Sequence, residues 1–385
     1  MTERRARLAV RQGLLTPAPD VVAAADRVVC LHATDPATVF LSAWARVADL
    51  RVQDVERALY QERSLVRHMA MRRTLFVFPR ATLGAAQAGA SRRVADSERR
   101  RLIADVEKAE LYDDGAAWLR DACESVLGAL AAGRQATFAE LRDELPVLGG
   151  AVTYGEGKSW GGAVPVGPRV LTVLSASGLI VRAGNDGGWT TSRPRWALMS
   201  DWLGEELAPA DGLQELVARW LRAFGPGTVA DLKWWLGSTV REVRGALAGL
   251  SAVQVDLDGE AGYLLADDLE PVAEVAPWAA LLPAFDPTTM GWSRRDWYLG
   301  EHKPHLFDRS GNAGATAWWD GRIVGGWRQE NGGEVVLQLL EDVGSEALEA
   351  LEARAAALSE WLAGARVSAR FPSPLSRQAV SWRRD

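Results

Sequence analysis

Two cysteines, Cys30 and Cys123, and four lysines, Lys108, Lys158, Lys233 and Lys303, are all that the chain holds of either residue. So small a cysteine count excludes a disulfide framework and a zinc cluster, and it fits a cytoplasmic protein. Both cysteines fall inside apolar patterns of helical period. No apolar run approaches the ~20 residues needed to cross a bilayer, so no membrane partner is expected. The start, Met1-Thr-Glu-Arg-Arg-Ala-Arg, is charged and leads into no apolar signal core, which argues against secretion. No motif for a cofactor or a metal is found, and neither is expected.

What is present describes a globular chain of 385 residues, long enough for two or three cores. Hydrophobic residues make up 48% and charged residues 24%, which excludes disorder. The net charge of −6 and a pI near 5.5 argue against a uniformly basic nucleic-acid binder. Of the 44 basic residues, however, all but the four lysines are arginine. Arginine forks onto phosphate and stacks on bases, so local clusters can still hold DNA. Seventeen tryptophans are many. Trp118, Trp196, Trp202, Trp220, Trp234 and Trp235 sit among apolar neighbours and read as core, while others can serve as stacking platforms.

Along the chain one order recurs three times: helix, short capped helix, third helix, then two strands joined by a turn. In the first copy Val21, Val22, Ala25, Val28, Val29 and Leu31 share one helical face. Asp35-Pro36 then supplies a cap and a first-turn proline for the next helix. A third helix covers 52–60, and a hairpin runs over 65–69 and 74–78. The second copy has a helix marked by Trp118, Leu119, Cys123, Val126, Leu127 and Leu130, a helix capped by Thr137, and a Gly-rich insert from Gly149 to Gly167. Its strands are read at Leu179–Arg182 and Trp189–Thr191. The third has Leu213 to Leu221, then helices capped at Thr228 and Thr239, and strands flanking Asp258-Gly259.

That order is the winged-helix unit. The fold class is therefore α+β: three tandem winged-helix units, then a β-rich region closed by an amphipathic helix over about 345–363. The expected boundaries are 1–112, 113–205, 206–270 and 271–385. Turns at Asp320-Gly321 and Asn331-Gly332-Gly333 separate the late strands.

Between the first two helices stand His32, Ala33 and Thr34. Alternation about a small apolar residue sends His32 and Thr34 to one side, where they can hold a water at a helix–helix corner. Basic and aromatic residues gather in two places suited to DNA. Arg67, His68, Arg72 and Arg73 lie on the first hairpin. Trp292, Arg294, Arg295, His302, Lys303 and His305 lie in a late loop. A third cluster, Arg92, Arg93, Arg99, Arg100 and Arg101, alternates with Asp96, Glu98 and Asp105 and reads as a solvated helix face.

Several segments resemble the winged-helix DNA glycosylases of the AlkZ and YcaQ type, which unhook crosslinks and bulky alkyl adducts. They are His32-Ala-Thr-Asp-Pro36 with Leu41-Ser-Ala-Trp-Ala-Arg46, the stretch from Leu65 to Leu75, Phe224-Gly-Pro226 with Asp231 to Gly237, Leu281 to Pro287, and Asp320 to Gly325. The resemblance implies a monofunctional DNA glycosylase that hydrolyses bulky or crosslinked N7-alkylguanine, acting as a monomer on duplex DNA. It also suggests self-resistance to a DNA-alkylating natural product.

The family's signature before Asp-Pro is Gln, an apolar residue, then Gln or Asp. Here His32 and Thr34 occupy those places, and Arg73 and Phe76 stand where the family usually has Gly and His. His32 and Thr34 are thus the expected catalytic pair. No lysine neighbours them, so strand cleavage through a Schiff base is not expected. The other reading is a non-catalytic winged-helix DNA-binding protein, a regulator or lesion sensor.

Overall fold

The computed structural model describes residues 2–158, 161–207, 211–273 and 275–377. Helices and antiparallel strands alternate, giving a mixed α+β chain. It divides into two compact units, Met1–Glu56 with Leu216–Asp385, and Arg57–Glu215.

The first unit opens with helices Thr2–Arg11, Val21–Arg27 and Pro36–Trp44. Later come Val229–Leu236 and Val240–Gly249, each begun by a capping box, Thr228 with Asp231 and Thr239 with Glu242. Each box satisfies two otherwise orphaned donors, and losing such a cap costs about 1 kcal/mol. A hairpin, Val253–Leu257 with Glu260–Leu264, turns at Asp258-Gly259. Four antiparallel strands follow in chain order, Ala279–Leu282, Thr316–Trp319, Arg322–Gln329 and Val335–Leu339. Helix Gly344–Leu362 turns Ala347, Leu351, Ala355, Leu358 and Leu362 inward. In the core Trp220, Trp292, Trp318 and Tyr298 have almost no exposed surface. Gly227 is required there, because a Cβ would lie 2.2 Å from the Trp220 ring.

The second unit carries hairpin Leu65–Ala70 with Thr74–Pro79. Helices Arg80–Ala86 and Arg92–Lys108 are joined through a π-turn, Gln87–Ser91. Gly115–Ala129, Phe138–Glu144 and Gly167–Ala176 pack with Trp118, Leu119, Val126, Leu141, Val170 and Leu174 into one core. The Gly-rich insert holds an extra hairpin, Ala151–Tyr154 with Gly162–Pro165.

Two local expectations are corrected. The first apolar helix stops at Arg27, because Val29 takes a left-handed φ of 68°, which a β-branched residue cannot hold inside a helix. Val28, Val29, Cys30 and Leu31 are buried outside it, so only Cys123 of the two cysteines is helical. The partner of strand Ile180–Asn185 is Pro194–Leu198, while Trp189 to Thr191 forms a turn. Asn185 fixes that turn, its amide donating to the carbonyls of Gly187, Gly188 and Thr191. Trp118, Trp196, Trp202, Trp220 and Trp235 are buried, and Trp234 is half-buried.

Candidate active site

Asp35 caps the helix Pro36–Trp44: its Oδ1 accepts the Ala37 N–H at 3.2 Å. Its Oδ2 accepts the Arg370 N–H at 3.1 Å. Burial raises the Asp35 carboxyl from its ordinary range, and these two backbone bonds oppose the rise. Every residue from Ala37 to Ala43 is buried, so the helix is a rigid support.

Three contacts lock the helix to the segment Leu281 to Pro287. Thr38 Oγ1 donates to the Ala284 carbonyl at 2.8 Å. Ser42 Oγ donates to Asp286 Oδ2 at 2.6 Å. Arg46 forks onto Asp286, and its Nη2 also donates to Thr288 Oγ1 at 2.7 Å. Phe285 is thereby held at a left-handed φ of 61°. A non-glycine residue keeps such a conformation only where its surroundings over-determine it.

The Phe285 ring stacks on the His32 ring, with centroids 4.5 Å apart and planes 12° from parallel. His32 is only 7% exposed, whereas Thr34 is half-buried. The pair is therefore less open than an exposed helix–helix corner, because Phe285 covers one face of the imidazole. His32 Nδ1 accepts the Thr34 N–H at 3.4 Å, which in the neutral ring assigns the proton to Nε2. In that form Nε2 carries an N–H donor.

The late loop is largely core. Asp231, with no exposed surface, accepts the backbone N–H groups of Ser293 and Arg294 at 2.9 and 3.0 Å, and the Ser293 hydroxyl at 2.9 Å. Trp292 is 1% exposed and donates its indole N–H to the Phe224 carbonyl. Arg295 is clasped between Trp234 and Phe307, its guanidinium 4.8 and 4.7 Å from their centroids. Neither can reach a duplex, and both are withdrawn as DNA contacts; the aromatic content that suggested stacking serves the interior. Arg294 is exposed and pairs with Glu260, His302 is half-buried against Glu341, and Lys303 and His305 are exposed.

On the hairpin of the second unit, Arg72 and Arg73 form the exposed tip, both at positive φ. Arg73 pairs with Glu98 at 3.0 Å. Arg67 is half-buried, lies over the Tyr60 ring and donates to its hydroxyl. His68 has no exposed surface, and neither ring nitrogen finds a hydrogen bond of good geometry. Burial lowers its pKa from the usual 6.5 to about 4. A neutral, enclosed imidazole cannot meet phosphate, so His68 too is withdrawn. Arg99, Arg100 and Arg101 lie on the solvent side of Arg92–Lys108.

Sequence patterns did not indicate Arg370 and Phe371, both exposed and joined to the surroundings of His32, Arg370 through Asp35 and Phe371 through Phe285. Phe371 meets Phe285 edge-on, with centroids 5.8 Å apart and planes at 86°. The segment carries no helical or strand period, so only the fold reveals it.

All four lysines are exposed. Among the described residues no group of three or more His, Cys, Asp or Glu is placed to hold a metal ion, and no helix is long and apolar enough to cross a membrane.

A model of the family described as DNA glycosylase AlkZ-like matches residues 25–361. Among solved structures, a Streptomyces sahachiroi DNA glycosylase AlkZ has a similar fold, with a TM-score of 0.73. The two share 21% identity, and the match covers 95% of this chain and 97% of that one. No curated protein sequence matches.

Proposed function

Since the chain belongs to the AlkZ-like DNA glycosylase family, we propose that it hydrolyses the N-glycosidic bond of bulky or crosslinked N7-alkylguanine, as a monomer on duplex DNA and without strand cleavage. The observation that carries this reading is the His32–Thr34 pair beside a helix start, backed by a buried scaffold that fixes its geometry.

The chemistry asks little of the protein as an acid. N7-alkylated guanine already bears positive charge and leaves readily, so the work lies in placing a water and sheltering an oxocarbenium-like sugar. His32 Nε2–H and the Thr34 hydroxyl hold that water. Asp35 contributes negative charge near the developing cation. A bulky adduct cannot enter a snug base pocket, which favours an open site. Schiff-base chemistry needs a positioned amine, and no exposed lysine adjoins the pair in sequence. Arg67, Arg72 and Arg73 on the hairpin, and Arg294, Lys303 and His305 in the late loop, are the remaining phosphate contacts we assign, and His302 is engaged by Glu341.

The helix order within 1–112, 113–205 and 206–270 supports three winged-helix units before the region 271–385. Isolated bridges, Ala136 with Trp196 and Gly227 with Tyr263, tie the stretch between first and second helices to the wing in the last two copies. A natural-product source for the adduct, making the chain a nucleoid-associated self-resistance factor in the cytoplasm, is carried by the resemblance alone.

The test is incubation of purified protein with duplex bearing N7-alkylguanine. Released base and abasic sites are scored before and after alkali. Base release with intact strands is expected, and His32→Ala should slow it by about a hundredfold or more. No release from any N7-alkyl duplex would end the reading. Sequence-specific footprints on undamaged DNA would instead favour a regulator.

A further inference from the structure

We propose that Arg370 and Phe371 form the substrate-facing wall of the His32 site: Phe371 stacks on the flat part of the damaged base and Arg370 pairs with a neighbouring phosphate. This rests on the glycosylase reading and adds to it the residues that select the adduct.

The wall is built rather than incidental. The segment 364–377 has almost no regular structure, yet buried and half-buried side chains clamp its backbone at intervals. Gln329 donates to the Ala365 carbonyl at 2.9 Å and accepts the Val367 N–H at 3.0 Å. Asp35 accepts the Arg370 N–H, and Gln338 donates to the Leu375 carbonyl at 3.2 Å. Ser373 and Leu375 are buried on either side of this turn's exit. Between these anchors the two side chains face outward. Phe371 is 37% exposed, one of only six large apolar side chains so exposed among the described residues.

Exposing an aromatic ring on a rigid segment forfeits about 25 cal/mol for each Å² left in water, so a free ring here is costly unless something covers it. It meets Phe285, which stacks on His32, so a base laid on Phe371 would lie one aromatic ring away from the imidazole. Arg370 makes no ion pair among the described residues and leans only loosely over Phe371, at 5.8 Å. An arginine beside an exposed ring is the pairing that holds a nucleotide by phosphate and by face. The family model ends at residue 361, ahead of the wall.

The experiment uses the full chain and Phe371→Ala, Phe371→Trp and Arg370→Gln, with melting curves checking that these surface changes leave the fold intact. Single-turnover excision is measured on duplexes carrying N7-methylguanine and an N7-arylmethylguanine. Binding is measured on the same duplex undamaged. Phe371→Ala should slow excision of the aryl adduct about tenfold, with a much smaller effect on the methyl adduct, and Phe371→Trp should restore it. Arg370→Gln should weaken binding to both duplexes and lower the salt dependence by about one phosphate contact. Variants that match the wild type on every duplex, in excision and in binding, overturn the wall. If the wild type excises nothing, the glycosylase reading fails first, and the binding arm still decides whether these two residues touch DNA.

Discussion

Arg46 meets both oxygens of Asp286, at 2.9 and 2.7 Å, and neither side chain has any exposed surface. This pair fastens the helix behind His32 to the segment that carries Phe285. A buried charge left without its partner costs about 3–5 kcal/mol. We predict that Asp286→Ala loses about that much in denaturant unfolding and also loses base release. The double variant Arg46→Met with Asp286→Leu should recover most of the stability but not the activity. An Asp286→Ala midpoint equal to wild type would refute the structural part.

Asp231 closes the cap of helix Val229–Leu236 with one oxygen and accepts three donors of the late loop with the other. Asparagine would turn a donor amide against donors. We predict a loss of at least about 3 kcal/mol for Asp231→Asn, since hydrogen bonds to a buried charge are the strong ones. Near-ultraviolet circular dichroism should report loosened tryptophans, because Trp292 adjoins the loop residues that Asp231 holds. An unchanged spectrum and melting temperature would count against this.

His68 is neutral when folded, with a pKa of about 4 against an ordinary 6.5. Above pH 6.5 neither state binds the proton, so the residue has no pH effect there. Between 6.5 and 4 the unfolded chain takes up a proton that the folded chain refuses, so stability falls as pH falls. Below 4 the loss levels off, at a total of about 3 kcal/mol. His68→Leu should flatten this part of the profile. Parallel unfolding midpoints for wild type and variant from pH 7 to pH 4 would show that His68 is not the cause.

The parts of the fold legible in the sequence are those specified locally. Thr137, Thr228 and Thr239 each cap the helix that their spacing suggests, and Asp258-Gly259 and Asp320-Gly321 make the turns their chemistry favours. What escaped depends on distant partners. Nothing near Val29 announces a left-handed residue, and nothing near Trp292 or Arg295 says that their rings and charge face inward. An arginine between two aromatic rings and an arginine on a phosphate have the same local sequence. Arg370 owes its place to distant partners, among them Asp35, 335 positions away.

That last contact has a consequence for chain length. One carboxylate starts a helix at residue 36 and holds the backbone at residue 370. Shortening the chain to end before 370 would free half of that group's work and remove part of the opposing pull on its proton affinity, leaving the Ala37 bond. A C-terminal deletion would thus be felt as a change in acid behaviour near the beginning of the polypeptide.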